Sequence, residues 1–325
     1  MIWSLYAMLG TNMWYHENDR VLFDDEAWDK IVTAAAENGI NQIVLDLGEG
    51  VRYASHPELA KPGAWTRQRV HKEVDRLRAL GIELIPKMNF SACHHLWLGE
   101  YRWMMSTKKY YEVCRDLITE VYSLFESPRY IHIGMDEEGD AQFFKMMELV
   151  AYRQGELYWH DLQFLLDCVR DAGATPWIWA DSCMYKPEEF RAHISTEDIV
   201  LQPWIYYSVK KEHYTPTKGK ETYVNIGKEY GIDYVEEAPI WQTFTRESMV
   251  AANDGYKLVP CASLYFENEW CHDDLPDYYK NGAPKDSILG YMTAPWLKTQ
   301  NENVDTIIAG IKALAAAREK YYGEN

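Results

Sequence analysis

The residues best suited to do chemistry are Asp136, Glu137 and Glu138. These three consecutive carboxylates close the run Tyr130-Ile-His-Ile-Gly-Met-Asp-Glu-Glu138. Packing gains nothing from such a cluster, because adjacent like charges raise one another's cost of ionisation. Proton transfer and stabilisation of a developing positive charge are what it can offer. The residues from Tyr130 to Met135 are apolar enough for a buried parallel strand, and Gly134 marks its end. The acids therefore emerge at the carboxyl end of a strand, where α/β proteins build their sites.

Something must hold that strand, and the rest of the chain supplies it. Apolar, β-rich runs at Ile2–Leu9, Asn41–Leu47, Ile82–Met88, Tyr130–Met135, Thr175–Ala180, Ile199–Trp204, Lys257–Ser263 and Ser287–Ala294 predict eight strands. Helical patterns separate them: Asp25–Asn38, Thr66–Leu80, Lys108–Phe125, Leu157–Ala172, Pro187–Ile194, Glu247–Asn253 and Val304–Tyr321. Asp24 or Asp25 can cap the first helix, while Gly39, Gly81 and Gly173 follow helix ends. Strand and helix alternating about eight times predict an α/β fold, a (β/α)8 TIM barrel. A doubly wound open sheet is the alternative, but eight units with no glycine-rich phosphate loop favour the closed barrel. The 325 residues are read as one domain, with an extended excursion over about 207–244 that covers the active face.

Composition narrows the function classes. There are 33 Lys plus Arg against 50 Asp plus Glu, a formal charge of −17, which argues against nucleic acid or an anionic membrane as partner. No run of 18 apolar residues exists to span a bilayer. Six scattered cysteines without a CxxC pair read as buried, reduced thiols. The N-terminus lacks a basic region and reads as a strand rather than a signal peptide. The expected location is therefore the cytoplasm, or outside the cell if a leader has been trimmed away. Neither cofactor nor metal is called for. The oligomeric state is not legible.

In a barrel, chemistry gathers at the strand carboxyl ends. Those positions hold Asp46 and Glu49 on strand two, and Lys87 to His95 on strand three. Strand four carries the acids, strand five Trp179 and Asp181, and strand six Trp204. Strand seven runs out through Tyr265, Glu267 and Trp270, and strand eight through Trp296. Carboxylates with tryptophans at one rim suit carbohydrate, because indole stacks on apolar sugar faces and glycosidic cleavage needs an acid and a charge-stabilising group. The bland readings are packing for Trp204 and Trp296, and a satisfied interior side chain for His132. One of Trp177 and Trp179 is expected to face the helices as core only. Glu138 is expected to face solvent or a helix N-terminus.

Tyr-Ile-His-Ile-Gly-Met-Asp-Glu resembles the His-x-Gly-Gly-Asp-Glu signature of glycoside hydrolase family 20, the β-N-acetylhexosaminidases. Further similarities follow in order: Gly81 to Pro86 on strand three, with His94 or His95 near the family's Pro-Gly-His, and Trp179-Ala-Asp181 for Trp-x-Glu. Gln202-Pro-Trp204 resembles the strand-six tryptophan, Tyr265-Phe-Glu267 resembles Tyr-Leu-Asp, and Gly290 to Trp296 resembles the glycine-rich last strand. The resemblance implies retaining, substrate-assisted hydrolysis of an N-acetylhexosaminide or related glycan. The substrate's own 2-acetamido oxygen attacks its anomeric carbon. Asp136 would orient the acetamide, Glu137 would be general acid and then base, and Tyr265 would hydrogen-bond the acetamide carbonyl. Trp179, Trp204 and Trp296 would wall the pocket, with Asp46, His94, His95, Asp181 and Glu267 as further substrate-binding candidates. The residues agree on one point: neighbouring carboxylates on one strand cannot easily flank a bond from opposite faces, so the nucleophile suits the substrate.

This sequence departs from the family pattern in several places. The strand-one arginine is absent, Met135 stands for a glycine, Glu267 for an aspartate and Lys298 for an acid, and the small domain that commonly precedes the barrel is missing from this sequence. Three alternatives remain open. Glu137 could be paired with a Glu267 or Glu269 nucleophile; a metal hydrolase could use His94, His95, His132 and Asp136; or the barrel could bind sugar without turnover.

Overall fold

The computed structural model describes residues 1–13, 16–138, 153–206, 240–265 and 270–323. Nine strands form one sheet in which every pairing is parallel: β1 (Ile2–Met8), β2 (Gln42–Asp46), β3 (Glu83–Lys87), β4 (Tyr130–His132), β5 (Thr175–Trp179), β6 (Val200–Gln202), β7 (Lys257–Leu258), β8 (Cys261–Ala262) and β9 (Gly290–Thr293). The order is β7-β6-β5-β4-β3-β2-β1-β9-β8. β7 and β8 are two halves of one barrel strand. The first pairs with β6 and the second with β9, while bridges Trp204↔Cys261 and Leu258↔Ile288 complete the circle. The break falls at Pro260, which has no N–H to give the ladder, although its carbonyl still accepts from Met292 N–H at 2.9 Å. The fold is a (β/α)8 barrel.

Around it lie α1 (Asp25–Glu37), α2 (Arg67–Ala79), α3 (Lys108–Leu124), α4 (Glu156–Ala172), α5 (Asp181–Tyr185), α6 (Pro187–His193), α7 (Ile240–Asn253), α8 (Cys271–Gly282) and α9 (Val304–Tyr322). Thr66 and Thr107 cap α2 and α3, each hydroxyl accepting a backbone N–H at 3.3 Å. Asp24 stands at the cap position of α1, but its carboxylate accepts from Asn301 N–H at 3.0 Å instead. It thus ties the first and last strand-to-helix loops together. α8 went unread in the sequence because Pro276 lies inside it. The last residues of the expected excursion, 240–244, belong to α7, and positions 207–239 lie outside the described residues.

Strand alternation sorts the core into two shells. Leu5, Ala7, Ile43, Leu45, Ile131 and Ile178 pack outward against the helices. Tyr6, Met8, Val44, Ile85, Trp177, Trp179, Val200 and Met292 fill the barrel interior. Both tryptophans of β5 are therefore interior, contrary to the expectation for one of them, because residues two apart on a strand share a face. The same parity places Asp46, Lys87, His132 and Gln202 inside, all buried, as a polar layer beneath the strand ends. No helix among the described residues is long and apolar enough to cross a membrane. None of the six cysteines forms a disulfide, and five of them are buried.

Candidate active site

Past His132 the fourth strand leaves regular geometry. Gly134, Met135 and Glu137 all take left-handed backbone, with φ of 75°, 74° and 57°. Such values cost a non-glycine residue roughly 1–2 kcal/mol each, so neighbours must hold them. Three do. His132 Nδ1 accepts from Gly134 N–H at 3.0 Å, Asn89 Oδ1 from Met135 N–H at 3.4 Å, and Asp181 Oδ1 from Glu137 N–H at 2.9 Å. A Cβ on Gly134 would lie 2.0 Å from Asn89 Oδ1, so no other residue fits there. Met135, where the resembling signature has glycine, keeps the left-handed conformation that glycine adopts freely.

This bent backbone turns Asp136 and Glu137 onto one imidazole. His94 Nε2 is 3.0 Å from Asp136 Oδ2 and 3.0 Å from Glu137 Oε2. Asn89 Nδ2 donates to the other Asp136 oxygen at 2.7 Å. Asp136 is buried, whereas the Glu137 side chain is 24% exposed and is the more accessible acid. Burial alone would raise the Asp136 carboxyl. The His94 charge and hydrogen bond, the Lys87 charge and the Asn89 hydrogen bond outweigh it and hold Asp136 well below the usual carboxylate range. Burial alone would likewise lower His94, but the charge and hydrogen bonds of Asp136 and Glu137 raise it to about 10.

Linkage gives this arrangement a pH signature. The folded His94 value lies above its ordinary 6.5, so the folded state keeps a proton that the unfolded chain releases. That contribution is complete below about 6.5 and is lost as pH rises toward about 10. The thermal unfolding midpoint should therefore fall across this interval, and His94→Gln should flatten the slope. An unchanged slope in the variant would place the alkaline loss elsewhere.

Beneath the pair, Lys87 and Asp46 form a buried ion pair inside the barrel, and Tyr6 donates to Asp46 Oδ2 at 2.9 Å. Asp46 is thus engaged in the floor rather than at the pocket mouth. A lysine at an inward position of an apolar strand was the signal for this layer. His132 Nε2 contacts Gln202 Oε1 at 3.0 Å, and burial followed by the Lys87 charge pushes its value well down. It is a satisfied interior histidine, as its sequence setting suggested.

His95 does not join the acids. It is buried, and burial together with the charges of Arg153 and Arg102 lowers it to about 3. The four-residue metal set weighed as an alternative is therefore not assembled. Among the described residues, the atoms that could share a cation are those of His94, Asp136 and Glu137, within 4.8 Å of one another.

Asp181 accepts from Glu137 N–H with one oxygen and from Trp204 Nε1–H with the other, at 2.9 and 2.7 Å. Burial first, then the Asp136 charge, raises it to about 8, while the two N–H donors pull the other way. Trp179 is buried and packs on Trp296 at a centroid distance of 5.5 Å. Trp296, itself left-handed at φ 55°, sits 4.7 Å from Tyr6 and donates to Tyr206 OH at 2.7 Å. Trp204 lies 5.5 Å from Tyr206. One aromatic wall thus joins the ends of strands five, six and eight. Tyr265 follows β8, is 57% exposed, and has its N–H on Ser263 Oγ at 3.0 Å. Glu267 and Glu269 lie outside the described residues.

Glu138 is not a bystander. Its carboxylate is buried and takes both Arg153 Nε at 2.5 Å and Nη2 at 2.6 Å, and it accepts Ala92 N–H at 3.2 Å. Arg153 also donates to Phe90 O at 2.7 Å, joining strand three to the entry of α4. Truncating one member of a buried pair strands the other charge, at about 3–5 kcal/mol. Glu138→Ala should cost that much in urea unfolding, and Glu138→Leu with Arg153→Met much less. Equal losses from the single and double changes would contradict the pairing.

Three comparisons bear on this geometry. The family model described as glycosyl hydrolase family 20, catalytic domain, matches residues 91–308. Among solved structures, the chain is similar to the exo β-N-acetylglucosaminidase of Vibrio harveyi in complex with N-acetylglucosamine. The two share 15% identity with a TM-score of 0.58, covering 96% of this chain and 53% of that one. It is also similar to a mutant Streptomyces plicatus β-hexosaminidase in complex with GlcNAc, at 14% identity and TM-score 0.63, covering 98% and 67%. The β-N-acetylhexosaminidase of Bacteroides fragilis gives 14% and 0.60, covering 97% and 65%. At such identities the likeness is one of fold, and the chain spans about half to two-thirds of their length. No curated protein sequence matches it.

Proposed function

This chain belongs to glycosyl hydrolase family 20, and from that premise we propose that it is a glycosidase acting on 2-acetamido-2-deoxy-β-glycosides by substrate-assisted catalysis. The observation that carries the reading is the convergence of Asp136 and Glu137 on a single His94 nitrogen, each at 3.0 Å. Two neighbouring carboxylates gathered on one atom are poorly placed to serve as an enzymic acid and an enzymic nucleophile, which suits a nucleophile supplied by the substrate. An ordinary acid and nucleophile must flank the scissile bond.

In the proposed reaction the acetamide oxygen attacks the anomeric carbon, and the bond to the leaving oxygen breaks. Glu137 transfers its proton to that oxygen. Asp136, ionised and held by His94 and Asn89, accepts from the acetamide N–H and stabilises the cationic ring that forms. Glu137, now a carboxylate, takes a proton from water as the water attacks the same carbon. The ring opens, and the product keeps the β configuration. Tyr265 is assigned to the acetamide carbonyl, and Trp179, Trp204 and Trp296 to the walls around it. Glu267 is assigned to the sugar hydroxyls. The reaction calls on no cofactor.

The test is a paired screen of aryl glycosides with and without the 2-acetamido group. Turnover confined to the acetamido series is expected. Turnover confined to the series lacking it would overturn the reading and favour an enzymic nucleophile.

A further inference from the structure

We propose that Asp181 is a positioning residue for Glu137: it holds the strained backbone of the acid/base and the Trp204 wall in one fixed relation, rather than binding sugar. The inference rests on the reading above in one respect, that Glu137 donates the proton. Three observations carry it. Asp181 is 2% exposed at the start of α5, and both of its oxygens are already engaged by protein N–H groups. One takes Glu137 N–H at 2.9 Å, and Glu137 is left-handed at φ 57°, a conformation that an L-residue keeps only under restraint. The other takes Trp204 Nε1–H at 2.7 Å, from the sixth strand's end.

A carboxyl group presents an oxygen to each of the two donors. An amide has one accepting oxygen, so in Asp181→Asn the NH2 group must face either the Glu137 N–H or the indole N–H. Glu137 would then lose its restraint or its register with Trp204. A displacement of about 1 Å at a proton donor can cost on the order of 100-fold in rate.

This loss has a form that a merely structural defect lacks. kcat/KM for an aryl glycoside reports bond cleavage, and an activated aglycone leaves without needing a proton. A poor leaving group depends on the acid. Asp181→Asn should therefore lower kcat/KM by roughly 100-fold for poor leaving groups and far less for activated ones, steepening the leaving-group dependence. Trp204→Phe keeps an aromatic ring and deletes the second donor together with part of the indole's packing surface. The smaller ring trims the wall, a loss that falls on all aglycones alike, so the leaving-group dependence, expected to be the same but weaker, is what decides the matter if Asp181→Asn fails to fold. The double change should cost less than the sum of the single ones.

Equal losses on good and poor leaving groups, in whichever of these variants fold, would overturn the proposal while leaving the enzyme's function intact. A wild-type chain inactive on every acetamido glycoside would overturn the functional reading first, and the inference with it.

Discussion

Glu137→Gln should lower kcat on a poorly activated aryl 2-acetamido glycoside by roughly 10²–10⁴-fold, the span that one positioned general acid and base supplies. The substitution suits the question because it keeps size and shape. The glutamine carbonyl can still accept from His94 Nε2, where the Glu137 carboxylate now sits at 3.0 Å. The backbone N–H still meets Asp181 at 2.9 Å, so the left-handed turn is preserved. What disappears is the proton. Ligand binding should therefore survive, and activated aglycones should suffer least in kcat/KM. A variant with near wild-type turnover of poor leaving groups would remove Glu137 from its role.

Asp136→Asn should be nearly as damaging, with the opposite balance. The buried Asp136 carboxylate is held low by His94, Lys87 and Asn89 despite its burial. That is the condition for an anion that must stabilise developing positive charge. Losing one such preorganised group costs about 10²–10³-fold in kcat. Here the loss should fall on every aglycone alike, because charge on the acetamide ring develops whatever leaves. Binding of a mimic of the cyclised intermediate should weaken as well, which Glu137→Gln should not cause. The asparagine also leaves His94 and Lys87 with one anion fewer, so some stability should be lost. Equal leaving-group sensitivity in the two variants would contradict the division of labour.

Much of this framework was legible from residue order. Parallel strands buried on both faces must be continuous apolar runs, and those runs located the barrel and the exit of strand four. Partners distant in sequence were less legible. Glu138 looked like a spare charge because its guanidinium partner arrives with Arg153, beyond residues the structure does not describe. Asp181 looked like a sugar ligand because a strand end in a barrel invites that reading, yet both oxygens were claimed by backbone and indole. Asn89 went unremarked: nothing local marks an asparagine that braces the next strand's left-handed turn. Of the adjacent histidines only tertiary structure could choose, placing His94 on the acids and His95 beside arginines.

The central claim is that the nucleophile belongs to the substrate. A thiazoline fused to the sugar at the anomeric and 2-positions copies the cyclised intermediate without being cleaved. Its inhibition constant, measured against wild type and Asp136→Asn with intact-protein mass recorded during turnover, tests the claim most directly. The result expected is competitive inhibition far tighter than the product sugar, weakened in Asp136→Asn, with no mass added to the enzyme. Absence of thiazoline binding, together with a protein heavier by one sugar residue, would contradict it and assign the nucleophile to the protein.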